Sequence, residues 1–180
     1  GDVSPSGKLT TSFPVAEGQI PVYHSMLNTG RPYAGQEASK FMSNYLDIPN
    51  APLYPFGFGL TYTTFEYSNL SLSTTMMRPS DKVVVSVNIK NTGKKAGTET
   101  VQLYIQDVVG SISRPVKELK GFNKVSLAPG ESKIVKFEIS EELLKFYNSQ
   151  LEFKSEAGKF KVFVGGNSRD LITGEFELTK

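Results

Sequence analysis

From Phe65 onward the sequence predicts a mainly β domain, an antiparallel sandwich of the immunoglobulin and fibronectin kind, behind a long irregular N-terminal arm. Three observations carry this. Apolar residues recur at a period of two in successive short runs after Phe65. Turn-forming Asn-Thr-Gly and Pro-Gly sequences separate those runs. Before them, about 60 residues show no convincing period, which is unusual inside a self-contained domain and expected of an arm that wraps a neighbour.

Taken in order, Leu9–Phe13 reads as a short strand ahead of Pro14, which disfavours helix at the residue preceding it. Ile20–His24 has strand-like residues but carries Pro21, so an edge strand or extended arm is expected. Asn28-Thr-Gly-Arg-Pro reads as a turn, and Gln36–Phe41 as at most one helical turn. Then comes Asn50–Phe65, where Pro52 and Pro55 stiffen the backbone while Gly57 and Gly59 permit tight geometry. Between them lie Leu53, Tyr54, Phe56, Phe58, Leu60 and Tyr62, too much apolar surface to leave in water. These six are the expected docking residues.

In the β region, Val83, Val85, Val87 and Ile89 alternate with Lys82, Ser86, Asn88 and Lys90. Val101, Leu103 and Ile105 repeat the pattern, as do Val135, Phe137 and Ile139, then Phe160, Val162 and Val164, then Phe176 and Leu178. Each run is the buried face of a half-buried strand. Pro129-Gly130 suits a type II turn. Ser140 is a candidate cap for one helical turn, with Glu141 and Glu142 favourably placed in it. About seven strands follow, with the first domain spanning 1–63 and the sandwich 64–180.

A net charge of +2 with scattered lysines provides no phosphate-neutralising patch, so no nucleic-acid partner is expected. No apolar run reaches the roughly 20 residues needed to cross a bilayer, so no membrane partner is expected either. The absence of cysteine excludes disulfides, thiol nucleophiles and Cys-based metal sites. Gly1-Asp-Val-Ser-Pro-Ser-Gly reads as the middle of something, hence a piece of a longer chain.

The run Pro52–Phe65 also resembles the signature that joins the α/β sandwich domain of family 3 glycoside hydrolases to their fibronectin type III-like domain. Ordered flanking motifs add to this: Gly18–Tyr23, Asn28–Tyr33, Asn91–Gly93, Val101–Ile105, Arg114–Lys117, Leu119–Lys124 and Leu127–Glu131. The likeness spans nearly the whole chain and points toward bacterial periplasmic β-glucosidases. It implies a parent enzyme that removes terminal β-D-glucosyl residues with retention, needs no organic cofactor, and works in the periplasm or outside the cell. Phe58 stands where that family often has tyrosine.

Retaining glycosidases set two carboxyl groups about 5 Å apart across the scissile bond. The resemblance implies that both lie upstream, the nucleophile in a barrel domain and the acid/base in the α/β sandwich domain. Neither motif is present here, so the chain itself is expected to be inactive and its partners to be the upstream catalytic domains. Glu99, Asp107, Glu118, Glu131, Glu138, Glu175 and Glu177 read as solvated or structural, and His24 lacks a second metal ligand at suitable spacing. Two candidate sugar sites remain. Asn28, Arg31 and Tyr33 combine donors with an aromatic face on one loop, and would contact oligosaccharide only in the intact enzyme. Tyr104, Gln106, Arg114, Phe146 and Tyr147 mark a possible polysaccharide-binding surface. A carbohydrate-binding module and a protein-interaction or dimerisation module, the latter as a homodimer, therefore stay open beside the scaffold reading.

Overall fold

The computed structural model describes residues 1–27 and 44–180. Its strands are β1 (Phe65–Leu72), β2 (Met76–Met77), β3 (Lys82–Asn91), β4 (Gly97–Asp107), β5 (Glu118–Leu127), β6 (Ser132–Ser140), β7 (Phe146–Tyr147), β8 (Phe153–Lys154), β9 (Gly158–Gly165) and β10 (Leu171–Leu178). Seven of them have eight residues or more, close to the number expected; β3, β4, β6, β9 and β10 carry the alternating runs, whereas β1 and β5 do not alternate regularly. One sheet has the order β1-β3-β6 and the other β2-β10-β9-β4-β5, while β7 and β8 form a separate hairpin. Pairing is antiparallel except where β2 lies parallel to β10.

The predicted alternation places the core. Val83, Val85, Val87 and Ile89 of β3 are fully buried in one cluster with Val101, Leu103 and Ile105 of β4. Val135, Phe137 and Ile139 of β6, Phe160, Val162 and Val164 of β9, and Phe176 and Leu178 of β10 join it, and Met77, Leu127 and Leu144 complete it. Burying such side chains contributes about 1.5–3 kcal/mol each, the main term holding the two sheets together.

Turn chemistry joins the sheets as expected, with one addition. Gly130 has φ +77° and the Glu131 amide donates to the Ala128 carbonyl, giving the type II turn at Pro129-Gly130. Asn91 is buried and ties three loops together. Its Oδ1 accepts from the Thr63 hydroxyl at 2.5 Å and the Gly93 amide at 3.0 Å, while its Nδ2 donates to the Lys95 and Leu127 carbonyls. A polar side chain with no access to water is held there because its amide is fully partnered. β1 carries one extra residue against β3, with Asn69 at φ +54°, the left-handed conformation that Asn tolerates best.

Two local expectations change. Ser140 makes no side-chain cap bond, and Glu141–Leu144 is a 3₁₀ turn held down by the buried Leu144. Leu9–Phe13 is no regular strand but pairs piecewise with the arm itself. The Leu9 amide donates to the Phe58 carbonyl, the Gly57 amide to the Leu9 carbonyl, and Phe13 and Tyr54 exchange both bonds.

Candidate functional site, the arm on the sandwich

Alternation along β4 puts Thr100, Gln102 and Tyr104 on the face away from the core, where solvent is the default expectation. All three are buried, Tyr104 at 0 % exposure. What covers them is the arm. The Phe56 carbonyl accepts from the Ser168 amide at 2.9 Å, and the Met26 carbonyl from the Val116 amide at 2.9 Å. The Thr100 hydroxyl donates to the Ser6 carbonyl at 3.3 Å.

Gln102 is the centre of this contact. Its Nε2 donates to the Gly166 carbonyl at 2.6 Å and to the Gly57 carbonyl at 3.3 Å, and its Oε1 accepts the Tyr104 hydroxyl. Gly57 sits at φ +79°, and a Cβ there would lie 2.2 Å from Gln102 Oε1. Only glycine lets the arm come this close. A second tie is ionic. Lys8 Nζ lies 3.2 and 3.3 Å from the carboxylate of Glu99, which also accepts the Tyr67 hydroxyl at 2.8 Å. Glu99 is buried, so this pair joins arm to sandwich in a poorly screened setting. Burial and the Glu99 charge push the Tyr67 phenol well above its ordinary range, keeping it a donor.

Gln19 braces the arm from within. Its Oε1 accepts the Val15 amide at 2.5 Å, and its Nε2 donates to the Pro49 and Ala51 carbonyls at 2.6 and 3.1 Å. Nothing in the sequence marks this residue, since its partners are backbone groups and two of them lie 30 and 32 positions away.

The six expected docking residues divide. Phe56 and Phe58 are half-buried within the chain, Phe56 stacking on His24 at 4.1 Å and Phe58 packing tilted against Tyr54 at 4.9 Å between ring centres. Leu53, Tyr54, Leu60 and Tyr62 stay exposed, Leu60 at 74 % and Leu53 at 52 %. The arm thus has an inner row, whose rings pack on other arm residues while the Phe56 and Gly57 carbonyls bond the sandwich, and an exposed outer row.

The surface suggested by Tyr104, Gln106, Arg114, Phe146 and Tyr147 is not a single face. Tyr104 lies under the arm, and Phe146 is buried beneath the Arg114 guanidinium, 4.0 Å from its ring centre. Only Tyr147 is exposed, paired with Phe153 across the β7–β8 hairpin. Arg114 is engaged by Glu118 at 3.0 Å and Asp107 at 3.6 Å. Asn28, Arg31, Tyr33 and the Gln36–Phe41 turn lie outside the described residues.

Between the arm and the sandwich lies a cleft of about 380 Å³, lined on the arm side by Gln19, Tyr23, His24 and Pro52 and on the sandwich side by Lys117 and Arg169. No carboxylate lines it among the described residues. Burial, then the nearby Lys117, holds the His24 imidazole below its ordinary pKa. Burial likewise lowers Lys117.

Residues 99–168 match the family model of the fibronectin type III-like domain. The chain is 54% identical over 178 residues to the periplasmic beta-glucosidase of Salmonella typhimurium, covering 99% of this chain and 23% of that protein. It is 46% identical over 180 residues to a putative beta-xylosidase of Formosa agariphila, covering 100% and 22%. The crystal structure of beta-glucosidase from Listeria innocua in complex with glucose superposes with a TM-score of 0.89 at 49% identity, covering 98% of this chain and 25% of that one. The chain spans about a quarter of the length of the relatives it matches.

Proposed function

We propose that this chain, similar throughout to a stretch of family 3 β-glucosidases and built on a fibronectin type III-like sandwich, is their non-catalytic C-terminal scaffold. Residues 1–63 are the tail of the upstream domain with its connecting arm, and 64–180 the sandwich. The parent enzyme removes terminal β-D-glucosyl residues from oligosaccharides, using catalytic carboxylates carried upstream, and acts in the periplasm or outside the cell. Asn28, Arg31 and Tyr33 are the residues of this chain nearest in character to a sugar contact.

The observation that carries the reading is the division of the arm into two rows. On the inner side, the Phe56 and Gly57 carbonyls are bonded to the sandwich by the Ser168 amide and Gln102. The outer row, Leu53, Tyr54, Leu60 and Tyr62, offers apolar surface along a segment already ordered by its own hydrogen bonds. Ordering the arm beforehand lowers the entropic cost of docking. Covering Leu60 alone would contribute about 1.5–3 kcal/mol.

The test is Leu60→Asp, and separately Leu53→Asp, in the longer polypeptide. Each should lower its melting temperature by several degrees. A melting temperature unchanged by both substitutions would refute docking through the outer row.

A further inference from the structure

Lys117 lines the cleft between arm and sandwich, half-buried, and among the described residues its Nζ donates to the Ser168 carbonyl at 2.8 Å. Nζ also lies over the Phe163 ring, 5.4 Å from the ring centre. None of the chain's ion pairs among the described residues involves it. The other half-buried cations among the described residues behave differently: Lys8 has Glu99, Arg114 has Asp107 and Glu118, Lys120 has Glu118, Lys145 has Glu142 and Lys161 has Glu175. Arg169 adds a second positive charge at the same cleft, only loosely held by Asp170 at 3.6 Å. A buried charge without a counter-ion is costly, and proteins ordinarily pair it.

We infer that this cleft receives an aspartate or glutamate side chain from the upstream part of the same polypeptide, which pairs with Lys117 and Arg169. Charge complementarity argues for the carboxylate, since both sandwich-side basic groups face a described lining that holds no acid. Continuity argues for the source. Tyr23 and Leu27 line the cleft and are exposed, and Pro52 of its wall precedes Leu53 of the outer row. The occupant would thus enter at the border of the surface already assigned to docking, so the inference rests on the scaffold reading. Within a low-dielectric cleft the pair sets the register of the docked surfaces, a task that apolar contacts along the arm perform poorly.

The experiment is zero-length carbodiimide cross-linking of the longer polypeptide, read by peptide mass spectrometry, together with hydroxyl-radical labelling of Tyr54, Leu60 and Tyr62. The expected result is an amide between Lys117 and an acidic residue outside residues 1–180, with the three arm residues protected. Protected arm residues with Lys117 unlinked, or linked to an acid within residues 1–180, would overturn the inference and leave the scaffold reading standing. Arm residues labelled at the rate of free surface side chains would overturn both.

Discussion

The closeness of Gly57 to Gln102 can be tested against a second glycine with the same backbone conformation. Gly57 and Gly130 have φ of +79° and +77°, so alanine at either must accept a left-handed residue, costing about 1–2 kcal/mol. At Gly130 nothing lies within 4 Å of the new Cβ, and the cost ends there. At Gly57 the Cβ would stand 2.2 Å from Gln102 Oε1 and 2.6 Å from its Nε2. An exposed amide would swing aside, but Gln102 is buried and held by Gly57, Gly166 and Tyr104. Moving it leaves buried polar groups unpaired at about 1–3 kcal/mol. Gly57→Ala should therefore destabilise by about 2–5 kcal/mol and Gly130→Ala by about 1–2 kcal/mol, read from urea unfolding followed by circular dichroism. Gln102→Ala removes the obstacle, so Gly57→Ala made in that background should cost about what Gly130→Ala does. Equal effects for the two single glycine variants, or additive effects for Gly57→Ala and Gln102→Ala, would refute the argument.

Two more predictions follow from charge. Lys8→Ala leaves the buried Glu99 carboxylate with only the Tyr67 hydroxyl and should lower stability by about 3 kcal/mol, whereas Lys82→Ala, breaking the exposed pair with Glu138, should produce no measurable change in the same assay. His24 is the chain's only histidine, so its ring protons report one titration by NMR. Its folded pKa lies below 6.5, and between the two values the unfolded chain binds the proton that the folded chain does not. Stability should rise as pH increases through that window up to 6.5, and His24→Phe should flatten that rise; an imidazole that titrates at or above 6.5 in the folded chain would contradict this.

How much of this was legible beforehand differs by element. Val83 to Ile89, Val101 to Ile105 and the later runs declare their buried faces through period two, because each strand's pattern is local and the core is simply where the apolar sides meet. The Pro129-Gly130 turn is likewise local, since Gly supplies the positive φ. The arm was recognisable as something that must be covered, from the apolar density of Leu53–Tyr62 between prolines and glycines. Which of those residues face inward was not, for the arm has no period from which to read a face.

Period two by itself determined β3, β4, β6, β9 and β10 with their core faces, and the Asn50–Phe65 composition determined that an apolar arm precedes them. The tertiary structure alone decided that the outer face of β4 is also buried. Gln102 and Tyr104 look like solvent-side residues because alternation reports only one strand's two sides, never what lies over them. Glu99 and Lys8 are 91 positions apart, and Gln19 is fixed by carbonyls at 49 and 51. Such pairings are set by how the arm crosses the sheet, a non-local choice that no window of sequence contains.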